Sequence, residues 1–164
     1  MVVFVDFKVI LGTKGEEILV DKDDYETLNK FKWNCYGGYA RTFRRRKSED
    51  NKLRSELLHR IILNLPKEKS VDHINGNKLD NRRCNLRLAS PKENNRNSGK
   101  VKRKCTSSYK GVVFHSRDER WQAQIRIDGK RLYLGYFNDE IEAAKEYDKY
   151  AKIHHKEFAR LNFP

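Results

Sequence analysis

Between residues 70 and 99 the chain reads SVDHINGNKLDNRRCNLRLASPKENNRNSG, with seven asparagines behind a single Asp-His pair. Asparagine favours neither helix nor strand, because its side-chain amide competes for backbone hydrogen bonds. The stretch must therefore be assembled from short elements around a long loop. SVDH reads as the end of a short strand, INGNKLDNRRC as the loop and NLRLA as a second short strand. SPKE then opens a helix, with Ser90 at the N-cap, Pro91 at N1 and Glu93 at N3. That is a capping box joined to the favoured first-turn proline. Strand, loop, strand and helix make a compact ββα unit, in which many side-chain oxygens crowd around one histidine.

The unit sits in the most basic part of the chain. Residues 41–106 carry 20 basic and 7 acidic side chains, against 5 and 7 in residues 1–40 and 11 and 9 in residues 107–164. The net charge of +13 is thus concentrated here, and such a field attracts polyanions, of which nucleic acid is the commonest inside a cell. The charges interleave with apolar residues, unlike those of a disordered basic tail. Cys35, Cys84 and Cys105 are isolated, with no C-x-x-C pair, which argues against a disulfide framework and for a reduced, intracellular protein. MVVFVDFKVILG carries Asp6 and Lys8 and lacks the basic start and cleavage site of a signal peptide. No apolar run is long enough to span a membrane.

Residues 1–40 mix strand-like runs with a helix over DKDDYETLNKF, whose acidic first turn suits the helix dipole. WNCYGGYARTF reads as an aromatic-rich hairpin about Gly37-Gly38, followed by the basic run RTFRRRKSEDNKLR. SELLHRIILNLP sets Leu57, Leu58, Ile61, Ile62 and Leu65 at helical spacing up to Pro66. SGKVKRKCTSS is polar, basic and aperiodic, and reads as a linker. Beyond it YKGVVFH, RWQAQIRI and KRLYLGYF predict three strands, the last two joined by an Asp128-Gly129 turn. NDEIEAAKEYDKYAKIHH predicts a helix capped by Asn138 or Asp139, with Ile141, Ala144, Tyr147 and Ala151 facing inward. Three antiparallel strands on one helix form a small α+β domain with its own core.

Hydrolysis of a DNA phosphodiester needs a base for the attacking water and a cation for the charge on the phosphate and leaving oxygen. Histidine titrates near working pH. One aspartate with one asparagine makes the open, hard-oxygen site that Mg2+ accepts. The segment LHRIIL…VDHINGNKLDNRRCNLRLASPKENNRN resembles the HNH endonucleases, in the branch found among phage and intron homing enzymes. The resemblance implies His73 as general base, Asp72 as a metal ligand, Asn85 as a brace of the loop and Asn94 as the second ligand. Asn94 lies 22 residues after Asp72, with Asn95 and Asn97 as alternatives. One Mg2+ or Mn2+ ion is implied. Zinc is not, because the cysteine pairs of the zinc-stapled version are missing. Asn75, Asn77 and Asn81 read as ordinary loop formers. His59 and Arg60 match a pair that this branch carries just before the ββα unit. They read equally as phosphate contacts or as a half-buried helix histidine with an exposed arginine. Arg82, Arg83 and Arg87 are expected to anchor phosphates near the scissile strand.

In RWQAQIRI, Trp121, Ala123, Ile125 and Ile127 alternate with Gln122, Gln124 and Arg126. KRLYLGYF likewise sets Leu132 and Leu134 against Arg131 and Tyr133. One face is expected to cover the helix, while the other is either a solvated surface or a reader of base edges and phosphates. YKGV, the Trp-x-Ala-x-Ile-Arg strand, LGYF, EAAKEYD and the terminal LNFP resemble an AP2 domain, a plant transcription-factor module also found in phage and bacterial endonucleases. The resemblance implies that the sheet lies in the DNA major groove, with Lys110, Arg126, Arg131 and Tyr133 as contacts and Gln124 and Gln122 beside them. The loop HSRDER departs from the family in length and in its arginine pattern, so His115, Arg117 and Arg120 carry over less directly.

The expected architecture is α+β: an N-terminal α+β lobe over 1–54, an HNH ββα nuclease core over 55–98, a basic linker over 99–107 and an AP2-like three-stranded sheet on one helix over 108–164. The expected protein is a monomeric, metal-dependent endonuclease that nicks double-stranded DNA. By resemblance it works in the cytoplasm of a bacterial cell or phage-infected host, with no membrane partner. A DNA-binding regulator with a vestigial nuclease fold is the alternative, against which the intact Asp72, His73 and Asn94 speak. An RNA-binding protein fits the charge but not the motifs.

Overall fold

The computed structural model describes residues 6–45, 53–66, 69–99 and 106–164. Residues 100–105 of the expected linker and residues 46–52 of the basic run lie outside them. Among the described residues, four helices and several small antiparallel sheets make an α+β protein. They gather into two compact units, Met1–Ser90 and Pro91–Pro164.

The first unit begins with a hairpin of β1 (Phe7–Leu11) and β2 (Glu17–Asp21), followed by helix α1 (Lys22–Leu28). β3 (Asn34–Tyr36), β4 (Tyr39–Arg45) and β5 (Leu53–Leu57) form a three-stranded sheet. Helix α2 (Leu58–Ile62) leads to the two-stranded hairpin of β6 (Ser70–His73) and β7 (Leu86–Ala89). Strand alternation turns Ile10, Ile18 and Val20 inward, where they meet Leu28, Trp33, Leu58, Val71 and Leu86 in one core. The Trp33 indole N–H finds its partner in the Leu28 carbonyl at 2.9 Å. Elements from the first 40 residues therefore share their interior with the hairpin that carries Asp72 and His73.

One expectation is corrected here. The helical spacing over residues 57–65 yields a helix only across Leu58–Ile62, while Leu53–Leu57 is a strand. Pairing with β4, in the register Arg41↔Leu57 to Arg45↔Leu53, overrides the local pattern. The loop after β6 is docked on β2: Leu19 N–H donates to the Leu79 carbonyl at 2.9 Å, and Asn81 N–H donates to the Leu19 carbonyl at 2.8 Å. This leaves Asp80 and Asn81 each only 1% exposed.

The second unit contains helix α3 (Pro91–Asn97), then β8 (Val112–His115), β9 (Arg120–Ile127) and β10 (Lys130–Phe137), ordered β10-β9-β8, and helix α4 (Glu140–His155). Asp128 and Gly129 both have positive φ, as a two-residue hairpin turn of the primed type requires. Asp139 caps α4, its Oδ1 accepting from Ile141 N at 2.8 Å and Glu142 N at 2.9 Å. The buried face of α4 is Ala143, Ala144, Tyr147, Asp148, Ala151 and His155. Ile141, expected inside, is 43% exposed.

Tyr109–Gly111 is a turn and not the start of β8. Gly111 has φ +79°, and an added Cβ would lie 2.0 Å from Tyr147 Cδ2. Only glycine allows this approach. The C-terminus is tied to the same turn: Asn162 Nδ2 donates to the Lys110 carbonyl at 3.1 Å, and Lys110 N–H donates to Asn162 Oδ1 at 2.7 Å. Asp148 accepts from Asn162 N at 2.8 Å and from Phe163 N at 2.8 Å. The widely spaced motifs YKGV, EAAKEYD and LNFP are thus parts of one hydrogen-bonded network.

Candidate active site and nucleic-acid interface

β6 ends on Asp72 and His73, both buried, at 3% and 5% exposure. The strand pairs Asp72 with Arg87 and His73 with Leu86 on β7. Arg87 Nε donates to Asp72 Oδ2 at 2.8 Å and its Nη2 lies 2.7 Å from the same oxygen, so the carboxylate is oriented from across the hairpin. Around the His73 imidazole stand His59 from α2, ring centroids 5.2 Å apart and edge-on, and Tyr39 from β4 at 6.0 Å. Tyr39 also packs on His59 at 5.7 Å. The Lys78 ammonium lies 4.2 Å over the Tyr39 ring.

The His73 Nε2 atom is 3.3 Å from Asn81 Oδ1. With Nε2 as the donor, Nδ1 carries the ring's lone pair. Burial lowers the His73 pKa below the ordinary histidine value, outweighing the Asn81 hydrogen bond and the Asp72 and Asp80 charges that raise it. His59 is pushed down to about 4 by burial, then by His73 and Arg60. At neutral pH both imidazoles are uncharged, and a neutral imidazole can accept a proton.

Asn85 fastens the loop. Its Oδ1 accepts from Asn75 N at 2.9 Å, and its Nδ2 donates to the Asp80 carbonyl at 2.7 Å and to Asn75 Oδ1 at 3.0 Å. Asn75 and Asn77 accept from nearby backbone N–H groups as loop formers do. Asn94 lies on α3 in the second unit, half-buried, with its carbonyl accepting from Ser98 N and Oγ. Among the described residues, no group of three or more His, Cys, Asp and Glu side chains is placed so that it could hold a metal ion by itself. A cation held by Asp72 and an asparagine would rest on few protein oxygens, as Mg2+ tolerates.

The four arginines expected at phosphates are engaged within the protein. Arg60 donates to the carbonyls of Lys69 and Pro66. Arg82 grips Asp80 with Nε at 2.8 Å and Nη2 at 2.7 Å. Arg83 forms the same fork with Asp24, at 2.9 and 2.8 Å, and Arg87 holds Asp72. In the second unit, Lys110 donates to the carbonyls of Arg96 and Ser98 at the end of α3, where a cation suits the helix dipole. Burial lowers its pKa to about 8.

The register of the three-stranded sheet places Arg126 beside Arg131, Gln124 beside Tyr133 and Gln122 between Val113 and Tyr136. His115 and Arg120 pair at the far end of the same face, with His115 edge-on to Tyr136 at 5.7 Å. Arg120, Arg126, Arg131, Tyr133 and Tyr136 are exposed, whereas Gln122 on the central strand is buried. Arg117 lies exposed in the β8–β9 turn. Strict alternation would send Tyr136 to the core face. A bulge between Tyr133 and Gly135 returns it to the open face, and the signal for it was the lone glycine inside a strand. Asn81, read from the sequence as an ordinary loop former, is instead buried against His73 Nε2 because the loop folds back onto β6, and Tyr39 reaches His73 through long-range packing that no local pattern announces.

These features describe a basic α+β protein with a buried Asp-His pair at the end of a short hairpin strand. A family model described as HNH endonuclease matches residues 56–96. An uncharacterized HNH endonuclease of Acanthamoeba polyphaga mimivirus is 31% identical over 163 residues, covering 95% of this chain and 80% of that protein. Protein 3.8 of Escherichia phage T7 is 40% identical over 67 residues, 41% of this chain and 54% of that protein. The AP2-like ethylene-responsive transcription factor PLT2 of Arabidopsis thaliana is 54% identical over 44 residues, 26% of this chain and 8% of that protein.

The chain belongs to the HNH endonuclease family. Membership implies a nuclease with DNA as substrate, while the likeness to AP2 proteins is local. Among the described residues, no helix is long and apolar enough to cross a membrane.

Proposed function

We propose that the protein is a metal-dependent endonuclease that hydrolyses phosphodiester bonds of double-stranded DNA, with His73 as general base. The observation that carries this reading is the His73 imidazole, kept neutral by burial, beside Asp72, hydrogen-bonded to Asn81 and walled by His59 and Tyr39. His73 takes the proton of the attacking water. Asn81, Tyr39 and His59 hold its ring, and Asn85 fastens the loop that follows. When bound, a single Mg2+ or Mn2+ ion neutralises charge on the scissile phosphate and leaving oxygen. Asp72, oriented by Arg87, would hold it, with Asn94 at the position where the family pattern carries the second ligand.

The nuclease part is residues 55–98, which follow the strand-loop-strand-helix order of the family along the chain, with β1–β4 and α1 as the scaffold of its hairpin. Residues 108–164 hold duplex DNA in the manner of an AP2 sheet in the major groove. Arg126, Arg131, Tyr133 and Gln124 reach the bases and phosphates, Tyr136 adds to them, and Arg117 and Arg120 flank them. A monomer with one such site cuts one strand per binding event.

Supercoiled plasmid incubated with the full chain, with Mg2+ and then with EDTA, tests the proposal. The expected result is Mg2+-dependent nicking that His73→Ala abolishes while duplex binding persists. Binding without cutting in Mg2+ and Mn2+, on plasmid and on phage DNA, would overturn it in favour of a regulator.

A further inference from the structure

Beside the edge of β9, within the second unit, lies a cavity of about 620 Å³ whose lining includes Lys92, Arg96, Arg126 and Arg131. Small-molecule sites span roughly 300–1,000 Å³. β8 pairs with β9 only as far as Val112↔Ala123, so the next stretch of β9 lacks β8 as a neighbour and borders the cavity through Gln124, Ile125 and Arg126. The lining is strongly basic. Its carboxylate, Asp128, is paired with Lys92 at 2.5 Å and lies 3.6 Å from Arg96, which leaves the positive charge in excess. Lys110 adds to the field while its ammonium rests on the α3 carbonyls. A site of this sign takes an anion.

A second observation makes the demand more specific. His155 lines the cavity and is only 5% exposed. Its Nε2 lies 3.1 Å from the Arg126 carbonyl, which can only accept, so Nε2 is the donor. Burial, followed by the charges of Arg96, Lys110 and His154, holds its pKa below the ordinary value against the Arg126 hydrogen bond that raises it, so the ring is neutral and Nδ1 is an acceptor. That Nδ1 is buried with no hydrogen-bond partner among the described residues. A buried orphan acceptor is costly, and a ligand N–H or O–H group would relieve it. Ile125 and the Tyr147 ring supply an apolar surface in the same cavity.

We infer that this cavity is a nucleotide-binding site: the basic wall takes a phosphate ester, Ile125 and Tyr147 take the base or sugar, and His155 Nδ1 accepts a hydrogen bond from its amino or hydroxyl group. The inference does not rest on catalysis at His73, but it shares Arg126 and Arg131 with the sheet proposed to hold duplex DNA, which is why its test turns on Arg96 and His155. The phosphate ester can belong to a nucleotide of a DNA strand or to a free nucleotide.

Isothermal titration of the full chain with dAMP, and separately with deoxyadenosine and with inorganic phosphate, tests it. dAMP should bind at least about tenfold more tightly than either fragment, and His155→Phe and Arg96→Gln should each weaken it by about tenfold. Circular dichroism melting verifies that the variants fold, and Arg96→Gln keeps the test intact should His155→Phe not fold. Absence of dAMP binding at millimolar concentration, phosphate binding as tight as dAMP, or binding untouched by Arg96→Gln would each overturn the inference. Displacement of a fluorescent single-stranded oligonucleotide by dAMP assigns the site to a DNA strand, and independent binding of the two assigns it to a free nucleotide.

Discussion

Arg82 separates two roles that a basic loop residue can play. The Asp80 side chain is 2% exposed and Arg82 covers it with a two-pronged fork, its own side chain being 27% exposed. Arg82→Met keeps the apolar stem and removes the charge, leaving a buried carboxylate with Asn75 Nδ2 at 2.8 Å as a remaining donor. Removing one partner of a fully buried pair costs about 3–5 kcal/mol. Partial exposure of Arg82 and the retained Asn75 bond reduce this to about 2–3 kcal/mol. With a urea slope near 2 kcal/mol per M, the unfolding midpoint should fall by about 1–1.5 M, read from Trp33 fluorescence in a Trp121→Phe background.

The pH dependence gives the sign. The Arg82 fork holds the Asp80 pKa below its ordinary value. The stability it contributes is present above the unfolded carboxylate pKa of about 3.9 and is lost as pH falls through the folded value. The gap between parent and variant should therefore narrow below about pH 4. In duplex binding, the slope of log K against log salt should not change. An unchanged urea midpoint together with a slope reduced by about 0.9 would refute the reasoning and make Arg82 a phosphate contact.

His59→Phe keeps a ring against His73 and removes a titration. His59 is depressed to about 4, so its contribution is present above about pH 6.5 and lost toward pH 4. The acid limb of the stability curve should flatten by about 3 kcal/mol in urea melts across that range. Gly111→Ala forces φ +79° on an L side chain and drives its Cβ into Tyr147. The second unit should lose about 3 kcal/mol, measured by thermal melting followed at Trp121. Tyr136→Ala should weaken duplex binding roughly fivefold, about 1 kcal/mol, in an anisotropy titration. Unchanged affinity would remove Tyr136 from the interface.

What was legible in the sequence is what neighbours within a few residues decide. The Asp128-Gly129 turn, the start of α3 at Pro91, the Asp139 cap and the end of β6 at Asp72-His73 all follow from local backbone preference and local hydrogen bonding. The alternation of β9 was legible for the same reason, and so was the asparagine-rich loop. Ser55–Leu57 misled because the apolar spacing of SELLHRIIL is helical from Leu57 on, and only pairing with β4 set its first residues in a strand. The partners of charged groups were equally hidden. Arg83 finds Asp24 from 59 positions away, His59 meets His73, and Lys110 turns from the sheet to the end of α3. A guanidinium or an imidazole has many partners open to it in the unfolded chain. Which one it keeps depends on the surfaces that the packed core brings together, and tertiary structure alone decides that.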